Sequence, residues 1–480
     1  GMWPGEGSVG QDIVKMVADN GFRWMASGEQ VLARSIGRAG FTRSGRDVVN
    51  EADDLYRPYY VQHAGGPKVA VFFRDLRLSD LIGFEYSGTP PEKAADDFMA
   101  RLEAIRSRLA EQGATGPHVV SVILDGENAW EYYPNDGKAF LNALYRKLSE
   151  STTVRTVTPS EYLAKYPDQR TIESLWYGCW FTPDFTTWIG EPEENLAWEY
   201  LGKTRNALAQ YDLYKRKTAT PERLAKALDA MYLAEGSDWF WWYGTDQDSG
   251  NDRYFDDAFR ALLAEVYTAL GEKVPDYLRV PIIMPAAVQP QREPEGLMSP
   301  AVDGTASAGE WDRAGLLEAG AGTVLPGSLQ WGFDADNAYF KIETAKDLAS
   351  YGKDASLRLY LSSPLQANGT AITPRKGVLS LRAGFVVDLP VGAAAVLRAF
   401  NRYDEWEDLA LAGFAAASGS RTVEIAVPLS VFGELGTGDA LYAQLVLSRP
   451  GADVAFAPGG PLTLRLPDLG TTRPVLAVAD

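Results

Sequence analysis

The sequence is poor in the residues that build redox and metal centres. Among 480 residues there is one cysteine, Cys179, and there are two histidines, His63 and His118. A single thiol excludes an intrachain disulfide and a thiolate cluster. Two histidines far apart in the chain argue against a metallohydrolase, because zinc sites draw on closely spaced His or Cys ligands. No metal and no cofactor is therefore expected, and both histidines are expected to be structural. Cations are also short: 46 Lys and Arg stand against 64 Asp and Glu, a formal charge of −18. That balance disfavours nucleic acid or an anionic membrane surface as a partner. No apolar run approaches the length of a membrane span. No signal peptide is legible, and the amino terminus opens too abruptly to carry information on compartment.

What the sequence does have is bulk and rings. Hydrophobic residues make up 46% and aromatic residues 11%, with 13 Trp. A chain this long is expected to fold as two or three domains. Most of the rings are expected in cores, but so many also suit a neutral ligand such as a glycan, whose apolar faces pack on aromatic faces.

Strand and helix patterns alternate through the first third. Ile13, Val14, Met16 and Val17 mark a helix, and Phe22 to Ser27 a short strand followed by Gly28-Glu29-Gln30 and another helix. Lys68 to Phe73 reads as a strand ending in Arg74-Asp75. Phe98, Leu102, Ile105 and Leu109 recur at helical spacing, and so do Phe140, Leu141, Leu144, Tyr145 and Leu148. Between them, Val119 to Leu124 is a continuous apolar run, the pattern of a strand buried on both faces of a parallel sheet. Asp125 stands where it stops, with Gly126 freeing the turn and Glu127, Trp130, Glu131, Tyr132 and Tyr133 close behind. Carboxyl ends of parallel strands are where catalytic groups collect, although an Asp at such a turn also serves as a helix cap. Val154 to Val157 reads as a last strand. The count of roughly four strands is too few for a closed barrel, so the chain is expected to begin partway through a domain.

Residues 174–275 read as helix with aromatic loops. Thr220-Pro221-Glu222 opens one helix and Phe255 to Leu270 forms another. The stretch Asp238 to Asp246 is too aromatic and too acidic to be read as simple core. Prolines between 275 and 300 mark a stiff linker. Beyond it Trp331 to Ile342, Leu357 to Leu361, Val423 to Val427 and Leu441 to Leu447 alternate with period two, an antiparallel sandwich.

Three stretches together resemble glycoside hydrolase family 57, retaining α-glucan enzymes with an incomplete (β/α)7 barrel. Gly1-Met2-Trp3-Pro4-Gly5-Glu6 is similar to the segment whose Glu is the nucleophile. Leu124-Asp125-Gly126-Glu127-Asn128 is similar to the segment whose Asp is the general acid/base. Trp176 to Trp180, with Trp188 to Asn195 and Ala197-Trp198, resembles the aromatic region of amylase and amylopullulanase-type members, as does the loop at 238–252. The resemblance covers roughly residues 1–275. The family's opening His-Gln-Pro segment is missing, Gly5 and Cys179 depart from the usual residues, and Gln247 stands where a His is expected. Asp303-Gly304, Glu310-Trp311-Asp312 and Phe333 to Tyr339 are similar to sandwich modules appended to carbohydrate enzymes.

The resemblance implies a multidomain chain. Residues 1–173 would be the carboxyl-terminal portion of a (β/α)7-like barrel, and 174–275 a helical domain whose aromatic loops complete the site. A Pro-rich linker over 276–300 and a β-sandwich over 301–480 would follow. It also implies a double displacement on an α-glucan, with Glu6 forming the glycosyl-enzyme and Asp125 passing the proton. Such a pair must stand about 5–5.5 Å apart, which only a fold can arrange for residues so remote in sequence. Glu29 is the rival nucleophile, with a structural acid in the first turn of a helix as its plainer reading. Trp176, Trp180 and Trp242 are candidate sugar platforms, Trp3, Glu29 and Trp130 further candidate substrate-binding residues, and Asp246 a candidate partner for sugar hydroxyls. Two other activities stay open: a glucanotransferase or branching enzyme on the same site, and a non-catalytic glucan-binding protein.

Overall fold

The computed structural model describes residues 1–62, 65–126, 128–215, 220–318, 327–366 and 368–468. The readings of His63 and Glu127 lie outside them. The chain divides into two compact units: residues 1–195 with 244–247, and residues 196–243 with 248–480. The boundary thus falls at Asn195 rather than at 173, and residues 196–243 and 248–275 group with the sandwich. Among the described residues, no helix is long and apolar enough to cross a membrane.

The first unit is built on a four-stranded sheet in the order Trp24–Gly28, Val69–Arg74, Tyr59–Val61, Arg170–Thr171. Trp24–Gly28 and Val69–Arg74 run parallel, from Trp24 opposite Ala70 to Gly28 opposite Arg74. Tyr59–Val61 pairs antiparallel with Val69–Arg74, so the sheet is mixed rather than all parallel. That strand is three residues long, too short to leave a periodic signal. Every residue of Val69–Arg74 is buried, as expected for a central strand covered on both faces.

Two helices behave as their spacing predicts. Pro91–Glu111 has Pro at its first turn and buries Phe98, Leu102 and Ile105; Lys138–Glu150 buries Phe140, Ala143 and Leu144. Met16 and Tyr145, expected on buried faces, are exposed. Val154 to Val157 is not a strand. Thr158 and Glu161 form a reciprocal capping box that starts the helix Pro159–Lys165, so the approach to it is a capped loop.

The run Val119 to Leu124 is the main departure. It lies along Val69–Arg74 with a single parallel bridge, Ser121 to Arg74, and its residues are half-buried instead of buried. Asp75 N–H donates to the Ser121 carbonyl at 2.8 Å, Val119 N–H to Tyr56 at 2.9 Å, and Ile123 N–H to the Ser79 hydroxyl at 3.1 Å. Val119 to Ile123 line a mainly apolar cavity of about 300 Å3 shared with Trp3, Trp24 and Phe72. The segment is extended and tethered, but it lacks the repeated ladder that makes a strand.

The second unit contains helices Pro221–Ala234 and Asp252–Leu270 and a sandwich. Thr220 caps the first of these helices, its hydroxyl accepting from Arg223 N–H. The stretch around 240 proves to be largely core: Phe240 and Tyr243 are buried, Trp198 stacks on Phe240 at 3.8 Å, and Tyr243 donates to Asp256 at 3.3 Å. Residues 276–300 are not a free linker. Val280 and Ile282 are buried, Val288 bridges Leu462 and Arg292 bridges Leu316.

The sandwich pairs a six-stranded sheet, Trp406–Asp408, Val396–Phe400, Phe385–Pro390, Ser356–Ser362, Ala440–Arg449 and Ala452–Arg465, with a five-stranded one. The latter runs Ala415–Ser418, Thr422–Pro428, Asn337–Glu343, Ser328–Phe333, Gly315–Glu318. Neighbouring strands are antiparallel throughout. Trp331, Phe333 and Phe340 from one sheet meet Leu357, Leu359 and Leu445 from the other in one core. Glu424, fully buried, accepts from Trp311 Nε1 at 3.0 Å and from Gly304 N–H at 3.0 Å, which ties the Gly304 and Trp311 turns to the sandwich.

Candidate active site

The carboxyl ends of the two parallel strands each deliver an acid. Gly28 ends Trp24–Gly28, and Glu29 opens the helix Glu29–Ser35; Arg74 ends Val69–Arg74, and Asp75 follows. Asp125 stands at the same end of the tethered segment beside Val69–Arg74.

Glu29 is buried in a network of charged partners. It is 3% exposed, accepts from Arg43 at 2.5 Å and from Leu76 N–H at 2.9 Å. Burial raises its pKa above the usual carboxylate value, against the pull of Arg43. Arg43 also reaches Asp75 at 3.2 Å, and Asp75 accepts from Tyr56 Oη at 2.7 Å. Against the cost of burial, Asp75 and Glu29 hold the Arg43 guanidinium charged far above its ordinary range. A carboxylate so committed is badly placed to attack a substrate, which favours the plainer reading of Glu29.

Glu6 sits in the tight turn Gly5–Gly7 with φ +53°, in the left-handed region that a residue with a Cβ occupies at a cost. The turn is clamped on both sides. Ser27 Oγ donates to the Gly7 carbonyl at 2.7 Å, and Trp180 N–H donates to the Glu6 carbonyl at 3.1 Å. Val9 and Gly178 exchange two backbone bonds, at 2.8 and 3.1 Å. Only glycine fits at two contacts of this clamp: a Cβ at Gly7 would lie 2.6 Å from the Trp3 ring, and one at Gly28 would lie 2.4 Å from the Trp180 carbonyl.

Trp180 is the common neighbour of Glu6 and Asp125. Its backbone holds the Glu6 carbonyl, and its ring lines a crevice with Asp125, Arg74, Asp80 and Phe84. The crevice has about 10 Å3 of free volume, room for roughly one water. The Arg74 guanidinium lies 4.4 Å from the centre of the Trp180 ring and pairs with Asp80 at 2.8 Å. Arg74 is 1% exposed; burial lowers its pKa, while Asp80, Glu29 and Asp125 act to keep it charged. Burial likewise raises Asp80 above the usual carboxylate value despite Arg74. Among the described residues, two buried donors, Trp180 Nε1 and Arg74 Nε, have no hydrogen-bond partner, so the crevice wall carries unspent polar capacity. The sequence shows Arg74-Asp75 at the end of a buried strand but assigns Arg74 no part in a site, and nothing in the spacing points to Asp80 as its partner.

The other candidates divide. Trp3 meets Trp180 edge-on at 6.3 Å and is 40% exposed, so it belongs to this cluster. Trp176 is exposed, with Nε1 donating to the Pro183 carbonyl at 2.8 Å. Trp130 is half-buried and packs on Tyr133 at 5.4 Å and against Gly137. Trp242, in the second unit, packs on Phe255 at 6.3 Å. Asp246 is exposed and adds negative charge to the surroundings of Glu194. Glu194 itself is fully buried, and burial, followed by the charges of Asp246, Glu191 and Glu193, pushes its carboxyl up to about 6. His118 pairs with Asp53 at 2.7 Å, a structural role. Among the described residues, no group of three or more His, Cys, Asp and Glu is arranged to hold a metal ion.

Residues 1–174 match the family model described as glycosyl hydrolase family 57. No curated protein matches. Among solved structures the chain is similar to a GH57 branching enzyme from Thermococcus kodakaraensis, in complex with glucose and additives, at TM-score 0.43 and 16% identity over 53% of this chain and 52% of that one. It is similar to the α-amylase AmyC from Thermotoga maritima at TM-score 0.43 and 16% identity, over 58% and 61%. A GH57-type branching enzyme from Pyrococcus horikoshii follows at TM-score 0.39 and 17% identity, over 53% and 55%. The chain spans 52 to 61% of the length of these structures.

Proposed function

From the membership of residues 1–174 in glycosyl hydrolase family 57 we propose that this protein is a retaining glycoside hydrolase acting on α-glucans. The observation that carries the residue assignment is Trp180, bonded through its backbone to Glu6 while its ring walls the crevice of Asp125. In this reading the four-stranded sheet is part of a (β/α)7-type barrel, and substrate lies over its carboxyl end. Glu6 attacks the anomeric carbon as the glycosidic C–O bond breaks, and Asp125 gives its proton to the departing oxygen. Asp125 then takes a proton from water; the hydroxide attacks the same carbon, and the ester bond to Glu6 breaks. Arg74 and Trp180 hold Asp125's surroundings, and exposed Trp3 and Trp176 offer ring faces to the glucan.

The test is turnover of maltooligosaccharides and amylose by the full chain, beside Glu6→Gln and Asp125→Asn. Reducing ends released by the parent and lost in both variants are the expected result. Longer or branched products would move the reading from hydrolysis to glucan transfer. Turnover retained in Glu6→Gln would remove the assignment.

A further inference from the structure

The second unit holds a cleft that the proposed reaction does not use. Its volume is about 480 Å3, within the range of sites that enclose small-molecule ligands. One wall comes from the helix Pro192–Lys215 and the turn Asp276–Arg279. The other comes from the hairpin of Thr370–Ile372 and Val378–Ala383 and from the sheet edge at Phe400 and Trp406.

Two aromatic pairs line it from different elements. Tyr200 and Tyr277 have ring centres 4.9 Å apart, and Phe400 and Trp406 5.2 Å apart. The Tyr277 hydroxyl is already engaged with Thr204 at 3.3 Å and Tyr267 at 3.1 Å, so its contribution to a ligand is its half-buried ring. The charged lining is balanced. Glu199 pairs with Lys203 at 2.5 Å and Asp276 with Lys376 at 2.7 Å, while Asp404 and Arg382 line the cleft as exposed groups.

This lining discriminates among ligand classes. The acids and bases of the lining cancel, so the cleft holds no charged pocket for a cation, and the chain's charge of −18 repels an anion. An apolar ligand would strip water from ionised side chains without replacing it. A neutral polyhydroxylated ring meets both demands, with its C–H faces on the half-buried rings of Tyr277, Phe400 and Trp406, Tyr200 lying buried behind Tyr277, and its hydroxyls on the charged heads. We propose that this cleft is a saccharide-binding site built wholly within the second unit, taking a segment of neutral oligosaccharide. The choice of an α-glucan among neutral sugars rests on the reaction proposed above.

The test is calorimetric titration of the full chain carrying Asp125→Asn, which stops turnover, with maltoheptaose and with cellohexaose. Maltoheptaose should bind in a class of sites that Trp406→Ala weakens about tenfold or more. Arg382→Ala, at an exposed position where folding is secure, should weaken the same class about threefold. Circular dichroism checks that Trp406→Ala is folded. Binding of neither sugar, or binding that both substitutions leave within about twofold, overturns the site. Cellohexaose bound in place of maltoheptaose, with the same sensitivity, keeps the saccharide site and removes the α-glucan. A parent chain that turns over nothing yet binds maltoheptaose through Trp406 keeps the site and removes the reaction.

Discussion

The strand Ser356–Ser362 alternates apolar with polar residues and the run Val119 to Leu124 is the more continuously apolar of the two, yet it is the first that is fully paired and largely buried. The first is paired on both edges, with Phe385–Pro390 and with Ala440–Arg449, and its Leu357, Leu359 and Leu361 are buried in the sandwich core. The second has one bridge and half-buried side chains. Apolarity measures how much a segment gains from burial; the ladder depends on which neighbours arrive. The contrast extends to what holds each region. The sandwich rests on interlocking apolar faces. The carboxyl end of the first unit's sheet rests on buried ion pairs, Arg43 with Glu29 and Asp75, and Arg74 with Asp80, together with backbone bonds around Glu6 and Trp180.

If that contrast is right, substitutions in the two regions should fail differently. Glu6→Gln should lower kcat/KM on maltooligosaccharides by about 10^4-fold or more with little change in the melting curve. Phe340→Ala, in the sandwich core, should instead cost about 3–5 kcal/mol in denaturant unfolding; a loss under about 1 kcal/mol would break the picture of a packed core. Glu29→Gln should keep kcat/KM within about tenfold while costing about 1–3 kcal/mol, because it loosens the hold on Arg43 and Leu76. A collapse of turnover in a stable Glu29→Gln protein would hand it the nucleophile's role.

The smallest effect is a pH dependence. Glu194 has its folded pKa raised to about 6 from an ordinary 4.5, so the folded state favours its protonated form. The resulting stability is complete below about 4.5 and is lost as pH rises through about 6. Glu194→Gln should therefore be more stable than the parent at pH 7, by about 1–2 kcal/mol, with the difference vanishing below pH 4.5. Melting curves at pH 4 and 7 measure it, and an equal difference at both pH values would contradict the assignment.

Much of the architecture was legible because some patterns are self-contained. Period-two alternation in Thr422–Pro428 and helical spacing in Pro91–Glu111 each report a face by themselves. Partnerships were not legible. Glu29 reads as a rival nucleophile or as a structural acid until Arg43 and Asp75 arrive from other elements. Phe240 and Tyr243 show why rings mislead, since an aromatic side chain serves a core as readily as a sugar. Of the candidate site, Asp125 and Trp180 do line one crevice, and Glu6 joins them through a backbone bond. The Arg74–Asp80 pair that frames them came only with the fold.

The most direct test of the central claim is to find where the sugar attaches. Asp125→Asn, incubated with an α-glucosyl fluoride whose leaving group needs no proton, should form the glycosyl-enzyme and be slow to release it. Mass spectrometry of the digested protein should then find a hexose ester on the peptide carrying Glu6. A hexose on Glu29, or on no residue while the fluoride is still consumed, would contradict the account.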